Sequence, residues 1–150
     1  MTQTNPSFFI HKFINLIRWH KGNPLDFGNG LIMHKVKILF IVDDEPDTCL
    51  TLTNVLEDNG FVVHAFDDPL LALENFRKDL YDLLILDIKM EKMDGFQLYR
   101  EIKKIDNKVK VCFLTARVFI DVFSNLKENQ FIQKPIENEE LIKMINEITS

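Results

Sequence analysis

The chain has 150 residues, of which 46% are hydrophobic and 27% are charged, and this composition is typical of a soluble globular protein. Its length allows one domain with a full core, and a formal net charge of −5 argues against a general nucleic-acid-binding protein. The sequence argues against membrane insertion, because no apolar run approaches the length that spans a bilayer.

The first 34 residues differ in charge from the rest of the chain. They carry three Lys or Arg residues and one Asp, whereas the remainder is acidic. We expect residues 1–34 to be a leader or linker, for which disorder and mis-assignment are the two explanations, and residues 35–150 to be the folded domain. An alternative is a short amphipathic helix that binds a membrane surface or a partner, because four apolar residues have helical spacing. These are Ile10, Phe13, Ile14 and Ile17.

Five short apolar, β-branched runs follow. Continuous runs of this kind are typical of strands that are buried on both faces, as in a parallel sheet. The predicted strands are residues 36–42, 61–66, 81–88, 109–115 and 130–133.

Helical patterns separate the predicted strands. The first begins at Pro46 and ends at Asn59-Gly60, and the second begins after Asp68 as N-cap, with Leu70, Leu71, Leu73 and Phe76 along one side. The other three cover about 95–105, 119–128 and 138–148. Strands and helices that alternate in this way predict a doubly wound α/β fold, which binds ligands at the carboxyl ends of its strands.

Polar residues stand at those strand ends. Asp43 and Asp44 follow the first strand, Asp87 ends the third, Thr115 ends the fourth and Lys134 follows the fifth. Three neighbouring carboxylates repel one another unless a cation offsets the charge, and oxygen ligands suit Mg²⁺. A hydroxyl and an amine opposite the metal favour a phosphoryl group as the second ligand.

Among the carboxylates, Asp87 is the best candidate for the nucleophile of an aspartyl-phosphate chemistry. It leaves a central strand under strong geometric constraint, whereas the adjacent Asp43 and Asp44 suit metal binding. We interpret Glu45 as a charge at the start of a helix. Cys49 and Cys112 lie in apolar surroundings without metal-type spacing, which favours free thiols in the cytoplasm.

These motifs together resemble one family. The segments IVDDEPD, LLILDIKMEKMDGFQL, FLTA and QKP are similar to the receiver domain of two-component response regulators, over about residues 35–149. The resemblance implies a flavodoxin-like parallel sheet of order 2-1-3-4-5 with five helices. It implies a stand-alone module that catalyses its own phosphorylation and dephosphorylation.

The resemblance also implies residue roles. Asp87 would accept the phosphoryl group and contribute to the Mg²⁺ site, in which Asp44 binds directly, Asp43 largely through water, and Lys89 through its backbone carbonyl. Thr115 would hydrogen-bond the phosphoryl group and Lys134 would pair with it. These two residues and Asp87 would form the catalytic set.

Two further roles concern switching and the last loop. Thr115 and Phe131 would form the conformational switch, and Pro135 would follow a cis peptide bond.

The sequence departs from the family pattern in three places. Glu91 stands where proline is usual, so we expect a more mobile loop after Asp87. Thr115 and Lys134 are 19 residues apart (134 − 115), which is short for the family, so we expect a shortened or shifted fourth helix. Phe131 lacks the hydroxyl of the tyrosine often found there.

The implied function is a switch in a two-component system or phosphorelay. A sensor histidine kinase or phosphotransfer protein would be the donor, and the output would go to an unknown downstream protein. With the chain ending at Ser150, we expect output through protein contacts, or a homodimer formed by the fourth helix, fifth strand and fifth helix. The alternatives are a phosphorylation-independent scaffold and a haloacid-dehalogenase-type phosphohydrolase.

Overall fold

Five parallel strands form one sheet in the order β2-β1-β3-β4-β5. This computed structural model describes residues 36–116 and 130–150. The strands are β1 (Ile38–Val42), β2 (Val62–Phe66), β3 (Leu83–Asp87), β4 (Val111–Thr115) and β5 (Phe131–Gln133). The described helices are α1 (Pro46–Asp58), α2 (Pro69–Asn75), α3 (Gly95–Ile105) and α4 (Asn138–Thr149).

The strand order and fold class are those predicted. Every residue of β1, β3 and β4 is buried, which is the pattern of central strands covered on both faces. The edge strands β2 and β5 are partly exposed. Each strand is shorter than its apolar run by one or two residues at an end, because the outer residues of the runs lie in the connecting loops.

The helix boundaries follow the predicted capping signals. Pro46 opens α1, and Gly60 after its end has a positive φ of 87°, a conformation that glycine adopts without strain. The Asp68 side chain caps α2 by accepting hydrogen bonds from the N–H groups of Leu70 and Leu71. The third helix begins where it was predicted, and its capping box between Asp94 and Gln97 is an additional finding.

Two apolar layers cover the sheet. One contains buried residues of α1 and α4, among them Leu56 and Ile145, packed against β1, β3 and β4. The other is aromatic. In it Phe40 of β1 contacts Tyr81, with ring centroids 4.7 Å apart, and Phe113 of β4 contacts Phe96 at 4.6 Å. The alternation of side chains along each strand supplies both layers.

The predicted apolar side of α2 is wrong in part. Leu70 and Leu71 are 46% and 48% exposed, whereas Ala72 and Phe76 are buried. Phe76 also lies just past the end of the helix. The helix has seven residues, so only one narrow side reaches the core.

Two predictions lie outside the described residues. These are the leader at residues 1–34 and the fourth predicted helix at 119–128, so α4 corresponds to the fifth predicted helix. Among the described helices, each is too short or too polar to cross a lipid bilayer.

Candidate functional site

The carboxyl edge of the sheet brings the predicted site residues together. Asp87 is the last residue of β3 and pairs with Leu114 of β4, so Thr115 lies one residue further along the same edge. The N–H of Lys134 donates to the Thr115 carbonyl at 2.7 Å. Asp43 directly follows β1. Residues that are far apart in the sequence therefore meet at one edge, as parallel strand topology predicts.

Three carboxylates form the centre of this site. Asp43, Asp44 and Asp87 each offer one oxygen, and these three oxygens lie within 4.8 Å of one another. Asp43 is fully buried and Asp87 is 7% exposed, while Asp44 is partly exposed. Such crowding of negative charge is costly without a cation, and a set of carboxylate oxygens matches the ligand preference of Mg²⁺. The residues present therefore fit a magnesium site.

The Lys134 ammonium lies against two of these carboxylates. Its Nζ is 2.5 Å from Asp43 Oδ2 and 3.6 Å from Asp87 Oδ1. Partial burial by itself lowers the pKa of Lys134, but the hydrogen bond and the charge of Asp43 outweigh it and raise the pKa on balance. Lys134 is thus held protonated, and its charge offsets part of the repulsion among the acids.

Asp87 has an altered acidity. Burial, with a further contribution from the negative charge of Asp43, raises its pKa from 3.8 to about 6, although Lys134 acts in the opposite direction. A carboxyl group with this pKa is mostly ionised at pH 7 and protonates in mildly acidic solution. Asp87 is therefore available as a nucleophile at neutral pH.

A main-chain group of the loop after β3 forms a hydrogen bond with the Asp44 side chain. The N–H of Glu91 donates to Asp44 Oδ2 at 3.1 Å. The same loop and Asp44 border an open cleft of about 660 Å³ beside the carboxylates. Lys89, the predicted carbonyl ligand, is exposed and lines this cleft. Its other lining residues are Glu45, Asp67, Asp68, Pro69, Met90, Glu91 and Lys92.

The two predicted switch residues lie at different levels of the sheet, because Thr115 ends β4 at the carboxyl edge whereas Phe131 begins β5 and pairs with Phe113. Thr115 is 8% exposed, and the half-buried Phe131 packs against Phe113 with ring centroids 5.8 Å apart. The peptide bond between Lys134 and Pro135 is cis, as the resemblance implied. The switching roles of Thr115 and Phe131 stay predictions, since one conformation of these side chains is described.

Glu45 and the two thiols have structural positions. Glu45 precedes α1 as its N-cap residue, which agrees with the interpretation of a helix-start charge. Cys49 and Cys112 are free and buried, and burial raises their pKa values to about 11 and about 12. They are therefore neutral thiols at physiological pH.

The sequence reasoning missed two supporting contacts. A Cβ on Gly95 would lie 2.3 Å from the Asp87 carbonyl oxygen, so the start of α3 packs directly on the backbone of the phosphoacceptor candidate. The Cys49 thiol donates to the Asp43 carbonyl at 3.1 Å. The Asp94-Gly95 pair was a usable signal for the first contact, because glycine allows close backbone approach. The second contact had no signal in the sequence pattern.

Comparisons with known proteins agree with this geometry. Residues 39–146 match the family model described as the response regulator receiver domain. The chain is 32% identical over 117 residues to the transcriptional regulatory protein RprY of Bacteroides fragilis, a match that covers 76% of this chain and 49% of RprY. It is 29% identical over 116 residues to the response regulator receiver protein CpdR of Brucella abortus, covering 75% of this chain and 97% of CpdR.

The solved structures agree as well. A response regulator receiver domain protein from Clostridium thermocellum is 26% identical and superposes with a TM-score of 0.66, covering 76% of this chain and 94% of that one. The chain therefore spans about half the length of RprY and most of the length of these two smaller relatives.

Proposed function

The chain belongs to the family of response regulator receiver domains, and from this premise we propose that it is a switch phosphorylated on Asp87. The donor is a phosphohistidine, carried by a sensor histidine kinase or a phosphotransfer protein. The observation that carries the proposal is the meeting of three carboxylates and Lys134 at one sheet edge. A cytoplasmic location remains a prediction.

In the proposed reaction, a carboxylate oxygen of Asp87 attacks the phosphorus of the donor. A P–O bond forms, the P–N bond breaks, and its electron pair returns to the imidazole, which leaves. The Lys134 ammonium is placed to neutralise charge on the transferred group, and the Thr115 hydroxyl to donate a hydrogen bond to it. Both residues lie at the strand ends beside Asp87.

The same acids would hold Mg²⁺. Asp43, Asp44 and Asp87 provide oxygens close enough to share one ion, and the main-chain carbonyl of Lys89 would complete the protein ligands. When bound, Mg²⁺ neutralises charge that develops on the phosphoryl oxygens.

Output is proposed to follow from a change in conformation at Thr115 and Phe131. Phosphorylation would bias an equilibrium between two arrangements of the face that includes β5 and α4. A downstream protein, or a second copy of this chain, would bind that face. The packing of Phe131 on Phe113 supports this proposal, because it connects β5 to the strand that ends in Thr115.

A phosphorylation assay tests the proposal. Incubation with phosphoramidate and Mg²⁺ should add the mass of one phosphoryl group, and Asp87→Asn or EDTA should prevent the addition. Uptake by the Asp87→Asn variant would contradict the assignment of Asp87. Sustained turnover of generic phosphate esters would instead indicate a phosphohydrolase.

Two outcomes separate a switch from a scaffold. The ring resonances of Phe131 and the amide resonances of β5 should move when the protein is phosphorylated, because Phe131 and Thr115 would change their packing. Mg²⁺ binding without phosphoryl uptake would contradict the switch and favour a phosphorylation-independent scaffold.

A further inference from the structure

We propose that the main-chain N–H of Glu91 positions Asp44 for Mg²⁺ binding, and thereby helps to set the affinity of the metal site. This inference rests on the proposed function, since it concerns the same magnesium site. It assigns a role to a residue at which this sequence departs from the family pattern. The role belongs to the backbone of Glu91, and its carboxylate is not required.

The contact depends on a departure of this sequence from the family. Glu91 N–H donates to Asp44 Oδ2 at 3.1 Å. A proline, which is usual at this position in the family, has no N–H and leaves Asp44 without this donor. The substitution that predicted a looser loop therefore also supplies a hydrogen bond between the loop and the acidic site.

Other contacts hold the donor in place. The Glu91 carbonyl accepts from the N–H of Met93 at 2.7 Å. Beyond it, Lys92 Nζ donates to Asp68 Oδ2 at 2.5 Å, which connects the loop to the start of α2. At the far end of the loop, the Gly95 N–H donates to the Ile88 carbonyl at 2.9 Å. The loop is thus fastened on both sides of Glu91.

The Lys92 contact is electrostatically favourable for both partners. Asp68 also accepts the two N–H groups that begin α2, and the hydrogen bond from Lys92, together with them, lowers the pKa of Asp68. The same contact raises the pKa of Lys92. Both groups therefore stay charged at neutral pH, and the loop remains attached beside Asp44.

The consequence for a metal ion follows from the chemistry of carboxylate ligands. With Oδ2 engaged by the amide, the Asp44 carboxylate is held in one orientation, and Oδ1 remains as a ligand atom. Hydrogen bonds to metal ligands commonly change metal affinity by about 10- to 100-fold when they are removed. We expect the lower end of that range, because this contact is exposed to solvent.

The test compares two variants that both lack the Glu91 carboxylate. Glu91→Ala keeps the N–H, whereas Glu91→Pro removes it and introduces the residue usual in the family. Mg²⁺ affinity is measured by isothermal titration calorimetry on the full chain, with thermal unfolding in EDTA as a check of folding. We expect Glu91→Pro to bind Mg²⁺ about tenfold more weakly than Glu91→Ala, with similar unfolding temperatures in EDTA.

The results separate this inference from the proposed function. If Glu91→Pro binds Mg²⁺ as tightly as Glu91→Ala, the positioning role is wrong and the magnesium site stands. If the unaltered chain and Glu91→Ala bind no Mg²⁺, the proposed function fails and the inference falls with it.

A second measurement does not need the proline variant. In amide proton–nitrogen NMR spectra, a hydrogen bond to a carboxylate shifts the Glu91 amide proton downfield. We expect Asp44→Asn to move this resonance upfield, while Asp58→Asn at the exposed end of α1 leaves it in place. An unmoved Glu91 resonance in Asp44→Asn would overturn the proposal.

Discussion

At the residue scale, Lys134 places a positive charge against two carboxylates of the site. Its Nζ contacts the fully buried Asp43 and lies 3.6 Å from Asp87. Removal of one partner from a buried ion pair leaves the other charge uncompensated, which costs more than the pair contributes. In the proposed function the same position would let Lys134 pair with the phosphoryl group as well.

Replacement of Lys134 by methionine tests this balance. We expect Lys134→Met to lower the free energy of unfolding in EDTA by about 1–3 kcal/mol, less than for a deeply buried pair, because Lys134 is partly exposed. Saturating Mg²⁺ should restore part of the loss by neutralising the same acids. Urea denaturation measures both effects. A loss no greater than that of Lys104→Met, at an exposed pair with Glu101, would contradict the prediction.

The acidity of Asp87 gives a pH-dependent prediction. Because its pKa is raised to about 6 in the folded protein, the folded state binds a proton more tightly than the unfolded state. The resulting stabilisation is present below about pH 4 and is lost as the pH rises through 6. In EDTA, Asp87→Asn should therefore be more stable than the unaltered chain at pH 8, by about 1–2 kcal/mol after allowance for solvent screening.

Urea denaturation at pH 8, 6 and 4 measures the difference in unfolding free energy between Asp87→Asn and the unaltered chain. We expect this difference to decrease as the pH falls, because Asp87 in the unaltered chain becomes protonated. Asp58→Asn, which removes an exposed carboxylate outside the site, serves as the control. A difference that stays constant from pH 8 to pH 4 would show that the charge of Asp87 is not its cause.

At the scale of secondary-structure elements, the start of α3 fixes the backbone of the site. Gly95 packs against the Asp87 carbonyl, and its N–H donates to Ile88. Because the nearest atoms to an added Cβ belong to the backbone, Gly95→Ala must displace either the helix or the end of β3. The helix cannot relieve this contact by a side-chain rotation.

We expect Gly95→Ala to lower the free energy of unfolding by about 1–2 kcal/mol. Overpacking costs about 1–3 kcal/mol, and the better helix propensity of alanine offsets up to about 1 kcal/mol of it. Arg100→Ala, at an exposed position of the same helix, is the matched control. Mg²⁺ affinity should also fall in Gly95→Ala, because Asp87 moves. Stability equal to that of Arg100→Ala would contradict the close packing.

Most elements could be predicted from local sequence patterns. Strands β1, β3 and β4 are buried on both faces, so their residues are continuously apolar and easy to identify. Capping residues such as Asp68 marked the helix starts. The prediction of which side of α2 is buried was wrong in part, because the sequence does not show how much of an apolar side chain its neighbours cover. Leu70 and Leu71 look like core residues in the sequence and remain exposed.

The site itself was predicted as a set of residues, but its contacts were not. Parallel topology explains why Asp43, Asp87 and Lys134 meet, because strand ends share an edge. The contact between Glu91 and Asp44 joins residues 47 positions apart through a main-chain group, which every non-proline residue carries. The sequence could show that a proline was missing there, but not which acceptor the N–H would find.

At the scale of the whole molecule, the site connects distant parts of the chain. Lys134 and Asp43 are 91 positions apart, and they form a direct hydrogen bond between the regions after β5 and β1. The ligand atoms for a cation therefore come together only in the folded sheet. Binding of Mg²⁺ to such a site must stabilise the entire fold, because an unfolded chain has no equivalent site.

This linkage gives a prediction for global unfolding. Once Mg²⁺ exceeds its dissociation constant, each tenfold increase in its concentration should raise the free energy of unfolding by about 1.4 kcal/mol. Asp44→Asn should flatten this dependence at pH 8. At pH 5 the unaltered chain should show a weaker dependence at equal Mg²⁺ concentrations, because a proton competes for Asp87, whose pKa is about 6. Thermal unfolding at a series of Mg²⁺ concentrations measures the dependence for the unaltered chain at pH 8 and at pH 5 and for Asp44→Asn at pH 8. The same slope in Asp44→Asn and in the unaltered chain would place the cation elsewhere.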